Sequence, residues 1–279
     1  MNLPIKYIFL SIFFIAISQH ISCKSAKNYL SPQGPKFLGN YATNPPIYED
    51  SIKVITFNIK YSRKIDQAIE EIKNIDKLKN SDIILLQEMD EVGTEKIAKT
   101  LKYNYIYYPA TVHMENDKNF GNAILSKWPM ENDKKILLPY EVAVGKTRRI
   151  AVAGTVKIKN LNILVYSAHT ATITLSEEKR MSQADSILKS ISTGWNHIII
   201  GGDFNTIFSQ NVRDLEKIFN QNGFIMATGG AGPTVKKGFL NFTLDHIFTK
   251  GFQVHDTGVV EESQASDHLP LWVVLKPIL

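Results

Sequence analysis

The chain has 279 residues, 44% of them hydrophobic and 21% charged. That composition excludes a disordered or fibrous chain and leaves one large domain or two small ones. The formal net charge of +5 is mild and its basic residues are scattered, so no Lys/Arg block of the kind that tracks a nucleic-acid backbone is present. An anionic substrate or a membrane surface is permitted by this charge without being argued for.

Lys6 precedes an apolar run over residues 7–17, followed by Ser18-Gln19-His20-Ile21-Ser22-Cys23. A short apolar core with a light positive flank is the pattern of a secretory leader, too short for a membrane-spanning helix. Cys23 is the only cysteine and has no partner for an intrachain disulfide. Placed directly after Ile21-Ser22, it resembles the lipobox of bacterial lipoproteins. That resemblance implies a signal peptide over residues 1–22, a lipidated Cys23 and an exported, membrane-anchored protein of the bacterial envelope; plain secretion is the alternative. Residues 23–50 carry Ser, Pro, Gly and Asn without periodicity and read as a tether. The folded domain is expected over 51–279.

Residues 51–58 alternate as a strand ending in Asn58. Ile65, Ile69, Ile72 and Ile75 recur at helical spacing, predicting an amphipathic helix over 63–79. Asp82-Ile83-Ile84-Leu85-Leu86-Gln87-Glu88 reads as a buried strand that also ends in a polar pair. A short helix is predicted over 94–101, a tyrosine-rich strand over 103–109 and a polar surface loop over 110–120. Strands follow at 121–126, briefly at 135–138, and at 149–156 and 161–169, the last two joined by a turn at Lys159-Asn160. The second of that pair ends at His169.

A helix over 177–191 with Ser176 as its cap leads to Ile198-Ile199-Ile200-Gly201-Gly202-Asp203-Phe204-Asn205. Three β-branched residues predict a strand covered on both faces, and the alternation of an extended chain starts Asp203 and Asn205 on one side. A helix near 213–222 and strands at 244–248, 254–260 and 269–275 complete the chain, with Ser266-Asp267-His268 before the last. Ten to twelve strands with hairpins exclude an all-parallel sheet, and three clear helices exclude an all-β sandwich. The fold class is α/β: two mixed sheets packed face to face with helices outside.

Asn58, Glu88, His169, Asp203, Asn205, Asp245, Asp267 and His268 thus each stand at the edge of an apolar run. Each has a bland reading alone: a polar turn for Asp203 and Asn205, a helix cap for Glu88, an edge-strand pair for Asp245-His246, a satisfied histidine for His169. Converging buried carboxylates, however, require a cation or histidine partners.

Thr56-Phe57-Asn58, Leu86-Gln87-Glu88, Ser167-Ala168-His169, Gly202-Asp203-Phe204-Asn205, Leu244-Asp245-His246-Ile247-Phe248 and Ser266-Asp267-His268 resemble, in order, the motifs of the endonuclease/exonuclease/phosphatase superfamily. The resemblance implies a four-layered α/β sandwich of the deoxyribonuclease type and a metal-dependent phosphoric ester hydrolase. It implies Mg²⁺ or Mn²⁺ held by Glu88 with Asn58 and Asp267, and oxygen-only ligands suit such hard cations. Asp203 would orient or deprotonate the attacking water, and Asn205 would bind phosphate. His268, polarised by Asp245, would act as general base or stabilise phosphoryl charge, with His169 as acid or phosphate donor. Arg149 and Asn122 match family positions that support the site or reach phosphate.

Abasic-site endonucleases of the superfamily carry an acidic residue two positions after the first asparagine. Here it is Lys60, which counts against DNA repair. The phrases Phe120-Gly121-Asn122-Ala123-Ile124-Leu125-Ser126, Gly232-Pro233-Thr234 and Ala265-Ser266-Asp267-His268 resemble a subgroup similar to the catalytic domain of GPI-anchor lipid remodellers. That implies a phospholipid or phosphoinositide-like headgroup as substrate, which a membrane-tethered enzyme would meet; the chain is expected to be a monomer. A secreted nuclease on DNA or RNA is the alternative, and a non-catalytic binding module on the same fold ranks below both.

Overall fold

Ile83-Ile84-Leu85-Leu86 is apolar at every position because two different cores cover its strand. Ile83 and Leu85 point into one, Ile84 and Leu86 into the other. The computed structural model describes residues 26–113, 117–142, 145–237 and 240–278, so the expected leader and Cys23 lie outside the described residues.

The chain begins with β1 (Lys27–Asn28), β2 (Phe37–Asn40) and β3 (Ile52–Asn58), then α1 (Ile65–Asn74), β4 (Ile83–Met89), α2 (Glu91–Leu101), β5 (Asn104–Val112) and β6 (Asn119–Ser126). It crosses into a second sheet with β7 (Met130–Glu141), β8 (Arg148–Ile158), β9 (Leu161–His169), α3 (Glu177–Lys189), β10 (Ile198–Asp203), α4 (Ser209–Gln221) and β11 (Ile225–Met226). A small hairpin, β12 (Val235–Lys237) and β13 (Leu240–Phe242), precedes β14 (Asp245–Lys250). The chain then returns to the first sheet as β15 (Phe252–Val259) and β16 (Leu271–Pro277).

The first sheet has eight strands in the order β1-β5-β6-β4-β3-β16-β15, with β2 also paired to β5; the second has six in the order β11-β14-β10-β9-β8-β7. Both are mixed, since β3–β4 and β9–β10 are parallel and their other neighbours antiparallel. Val54, Leu85, Ile124, Val152, Val165 and Ile199 fill the space between the sheets. Ile69, Ile72 and Ile97 of α1 and α2 close the outer face of the first sheet, and Ile187, Leu215 and Phe219 of α3 and α4 that of the second. The result is the expected four-layered α/β sandwich.

Register decides where the site lies. Asn58 is level with Gln87 on the parallel pair β3–β4, and His169 with Asp203 on β9–β10. Asp245 opens β14 directly opposite Asp203, while β16 begins at Leu271 opposite Thr56. All the motif-bearing strand ends therefore meet at one end of the sandwich. Gly202 is required there: a Cβ would stand 1.9 Å from the carbonyl oxygen of Ala168, so any side chain would push β10 off β9.

Residues 26–50 are not a free tether. β1 and β2 add to the first sheet through β5, and Lys135 Nζ donates to the carbonyls of Tyr29 (3.0 Å) and Gly34 (2.9 Å) from β7. Strands of two and four residues are too short to show alternation, which is why composition alone suggested a linker. The first helix stops at Asn74, because Ile75 is already extended. Asp90, not Glu88, caps α2, accepting from the Gly93 amide at 2.6 Å. Ser176 holds the N-cap position of α3 but makes no side-chain cap bond. Strand β7 runs twelve residues, longer than expected, as an edge strand with a largely polar outer row.

Candidate active site

Asp203 stands at the centre. Its Oδ2 accepts from Asn58 Nδ2 at 3.0 Å and lies 3.5 Å from His169 Nε2 and 3.8 Å from His268 Nε2. Its Oδ1 accepts from the Asn205 amide at 2.9 Å, a contact made possible by the left-handed backbone of Asn205. The other nitrogen of His268, Nδ1, is 2.8 Å from Asp245 Oδ2. Glu88 reaches the same space from β4, its Oε1 4.0 Å from His169 Nε2. A register shift between Leu86 and Met89 and a φ of 59° at Glu88 turn its side chain out of the regular alternation. Five strands and two loops contribute.

Burial governs the charges. It pushes the Asp203 carboxyl up to about 7, against the opposing pull of His268. Burial alone would lower His268, but Asp245 and Asp203 outweigh it and hold the imidazole up at about 10. At neutral pH His268 is therefore a cation pinned to Asp245. Of the two roles that the resemblance allowed, this favours charge stabilisation over general base. His169 is driven well below an ordinary imidazole by burial and by the nearby Arg149 and His268 charges, so it is neutral. Burial also raises Glu88, opposed by Arg149 and His268. His169 Nδ1, Arg149 Nε and Asp245 Oδ1 are buried without a protein partner. Three members of the cluster thus keep buried polar atoms that the protein itself leaves unpartnered, as residues of functional sites often do.

Asn58, Glu88 and Asp267 fit a hard divalent cation by donor chemistry, offering oxygen only. Glu88 supports this most directly, since among the described residues no cationic side chain comes within hydrogen-bond reach of its carboxylate. Asp267 is half-exposed and pairs with Lys60 Nζ at 2.7 Å. Burial acts to raise its carboxyl, but the Lys60 bond more than offsets this and holds it low. Asp203, Asp245 and His268 form another group whose ligand atoms lie within 4.8 Å of one another. There the raised His268 favours an imidazolium that donates to Asp245.

Two expected contacts differ. Asn122 spends its side-chain amide on the carbonyls of Ile150 (3.0 Å) and Ser167 (3.2 Å), tying β6 to the second sheet instead of facing a phosphate. Asn205 Nδ2 donates to the Thr170 carbonyl at 3.0 Å, which fixes the loop after Asp203. Arg149 does join the site: its guanidinium lies 5.0 Å from the Phe120 ring centre and is exposed to the Glu88 and Asp203 charges.

Sequence reasoning missed two features. Gln87, fully buried, donates to Thr56 Oγ1 (3.2 Å) and Ser167 Oγ (3.0 Å) and fastens the sheets beneath the site. A wall of rings also leads outward from the histidine: Phe120 is 5.8 Å from His169, and His113 and Tyr61 each lie 5.7 Å from Phe120. Arg63 covers the Tyr61 ring at 5.1 Å. Its only local signal is Tyr61 itself, three positions after Asn58, carried on a left-handed turn in which Lys60, Tyr61 and Ser62 all have positive φ.

The family model described as Endonuclease/Exonuclease/phosphatase family matches residues 55–268. No curated protein matches the chain. Similar solved structures include an endonuclease/exonuclease/phosphatase from Beutenbergia cavernae DSM 12333, 19% identical with a TM-score of 0.67 over 82% of this chain and 72% of that one. One from Bacteroides vulgatus is 20% identical, with a TM-score of 0.66 over 82% of this chain and all (100%) of that chain. D. rerio TDP2 complexed with single strand DNA product is 12% identical, with a TM-score of 0.65 over 82% and 100%. At such identities these likenesses show the fold alone. The family match, spanning most of the folded chain and every motif from Asn58 to His268, makes this protein a member of the Endonuclease/Exonuclease/phosphatase family.

Proposed function

We propose that the chain hydrolyses a phosphoester by in-line attack of water, with Mg²⁺ or Mn²⁺ bound. The observation that carries this reading is Asp203, a buried carboxyl at about 7 set between neutral His169 and cationic His268. A carboxylate of that affinity takes a proton from water near neutral pH. His268, kept charged by Asp245, and Arg149, with its unpartnered Nε, stabilise the negative charge that grows on the phosphoryl oxygens. His169 Nε2 holds the opposite side of Asp203 and presents a neutral donor or acceptor to the phosphate. Glu88, with Asn58 and Asp267, would hold the cation, which when bound polarises the phosphoryl group and neutralises its charge.

The substrate that we favour is a phospholipid or phosphoinositide-like headgroup, on the likeness of the Phe120–Ser126, Gly232–Thr234 and Ala265–His268 phrases to lipid remodellers. We also propose that Cys23 is lipidated and anchors the protein in the envelope; mass spectrometry of the mature chain should then find acyl groups on Cys23, and an unmodified cysteine would remove lipidation. A nuclease is the second reading, supported by the Tyr61–His113–Phe120 wall with Arg63, since ring faces beside guanidinium groups suit stacked bases. The solved structure of D. rerio TDP2 holds a single strand DNA product on the same fold.

The deciding experiment offers the protein bis(p-nitrophenyl) phosphate, phospholipid, inositol phosphate, DNA and RNA with Mg²⁺ or Mn²⁺. Turnover lost to EDTA and to His268→Ala is expected. Full activity after exhaustive chelation would overturn the mechanism, and the preferred member of the panel selects the substrate.

A further inference from the structure

Among the described residues ten large apolar side chains are exposed, and five of them share one end of the sandwich, where a grouped apolar surface marks an interaction site. Val92, Tyr140, Ile173, Phe208 and Leu240 are each between 43% and 69% exposed. Each lies on or beside a different turn of the chain at the catalytic end of the sandwich. Val92 follows β4 and Glu88, Ile173 follows β9 and His169, and Phe208 follows β10 and Asp203. Tyr140 stands at the end of β7, where the chain turns into β8 and Arg149. Leu240 lies on the β12–β13 hairpin, which bridges from Val235 to His268. Lys179 Nζ sits 5.3 Å from the Tyr140 ring centre, an aromatic body with a charged head beside it, as interfacial side chains arrange themselves.

The chain's N-terminal segment reaches the same end. The Ala26 amide donates to Gly145 O at 3.2 Å and Asn28 Nδ2 to Lys146 O at 2.8 Å, on the connection that carries Tyr140. Cys23 is three residues before Ala26. Cys23 lies outside the described residues, but three extended residues span at most about 11 Å, so a lipid there would be attached within that reach of Ala26. Among the described residues no helix is long and apolar enough to cross a membrane.

We propose that the catalytic end is a membrane-docking face: Val92, Tyr140, Ile173, Phe208 and Leu240 enter the headgroup–acyl boundary of a bilayer and set the cleft against it. Docking stands on this geometry alone. That the docked cleft cleaves a lipid-borne phosphate rests on the phosphoesterase reading above.

The test uses the full chain with Cys23→Ser, which frees the cysteine position for a single label. An environment-sensitive fluorophore is placed at Phe208→Cys in one sample and at Ile225→Cys in another; Ile225 is also an exposed apolar residue but lies at the far end. With vesicles of equimolar phosphatidylcholine and phosphatidylglycerol, a blue shift is expected at position 208 and none at 225. A label at 208 that stays in water while the chain is vesicle-bound overturns the proposal, as does absence of vesicle binding. So does shielding of 208 without vesicles in a sedimenting dimer, which would make this face an interface between copies.

In a second arm, Ile173→Ser with Phe208→Ser should lower turnover of a vesicle-borne phosphodiester by about tenfold or more, the weight of two apolar side chains leaving lipid. Turnover of soluble bis(p-nitrophenyl) phosphate should not change. If the unaltered chain turns over neither ester, the phosphoesterase reading fails while the fluorescence still decides docking.

Discussion

The two ends of the sandwich are built from the same strands and differ in what those strands leave unsettled. At the far end a cavity of about 750 Å³ is lined by Tyr48, Trp195, His197 and the asparagines Asn160, Asn162 and Asn196, with Asp50 and Lys159 as its charged members. Its left-handed residues serve turns, Lys159 in a two-residue hairpin. The catalytic end instead buries Asp203, Asp245 and His169 together. There the left-handed backbone of Glu88 turns its carboxylate into the site, and that of Asn205 brings its own amide to Asp203. Buried charge that the protein does not fully compensate identifies the working end better than cavity size does.

The comparison breaks first at its carboxylates. Asp203→Asn should cut turnover of a soluble phosphodiester by roughly 10²–10⁴-fold, the weight of a proton acceptor, while Asp50→Asn changes it little. Equal effects would abolish the distinction between the ends. The wild-type rate should also fall as pH drops below about 7, because Asp203 then holds its proton.

Stability should move the other way. With its folded value raised from 3.8 to about 7, Asp203 binds a proton in the native chain that the unfolded chain has already released. Native stability is therefore lost as pH rises through that window, and the full cost is present above it. Asp203→Asn should raise Tm at pH 8 in EDTA and leave it unchanged near pH 4. A Tm that falls at pH 8 would mean that the carboxylate is stabilised where it stands.

The next effect concerns what the sequence showed and what it hid. Asn58, Glu88, His169, Asp203, Asp245 and His268 were legible because each interrupts an apolar run at a strand end, and runs buried on both faces are hard to mistake. The four layers followed from hairpins alternating with helices. Residues 26–50 were illegible because their two short strands draw their order from pairing with β5 and from Lys135, and neither partner is near in sequence. The ring wall was hidden for the same reason, with Tyr61, His113 and Phe120 on separate segments. Asn122 was legible as a polar residue at a strand end but not in its role, since the carbonyls it binds come from β8 and β9. Asn122→Ala should destabilise by about 1–3 kcal/mol through two abandoned buried carbonyls, with KM for a small phosphodiester unchanged. A large rise in KM at normal stability would restore its assignment to phosphate.

The smallest expected effect lies at Lys60, where charge at the catalytic end is compensated from within. Its ammonium holds Asp267 at 2.7 Å, and its amide donates to Asn58 Oδ1 at 3.1 Å, so one residue engages two of the three oxygen groups suited to a cation. A divalent ion bound by Glu88, Asn58 and Asp267 must compete with that ammonium. Both partners are substantially exposed, 38% and 51%, so the competition is weak. Exposed pairs are worth about 0.2–1 kcal/mol, and removing one should tighten Mn²⁺ binding by no more than about fivefold. Lys60→Met, titrated with Mn²⁺ by calorimetry, should show that modest gain, whereas Lys159→Met at the far end should show none. Weaker binding in Lys60→Met would mean that the lysine organises the cation site instead of contending for it. Lys60 would then join Asp245 among the residues that act by holding another in place.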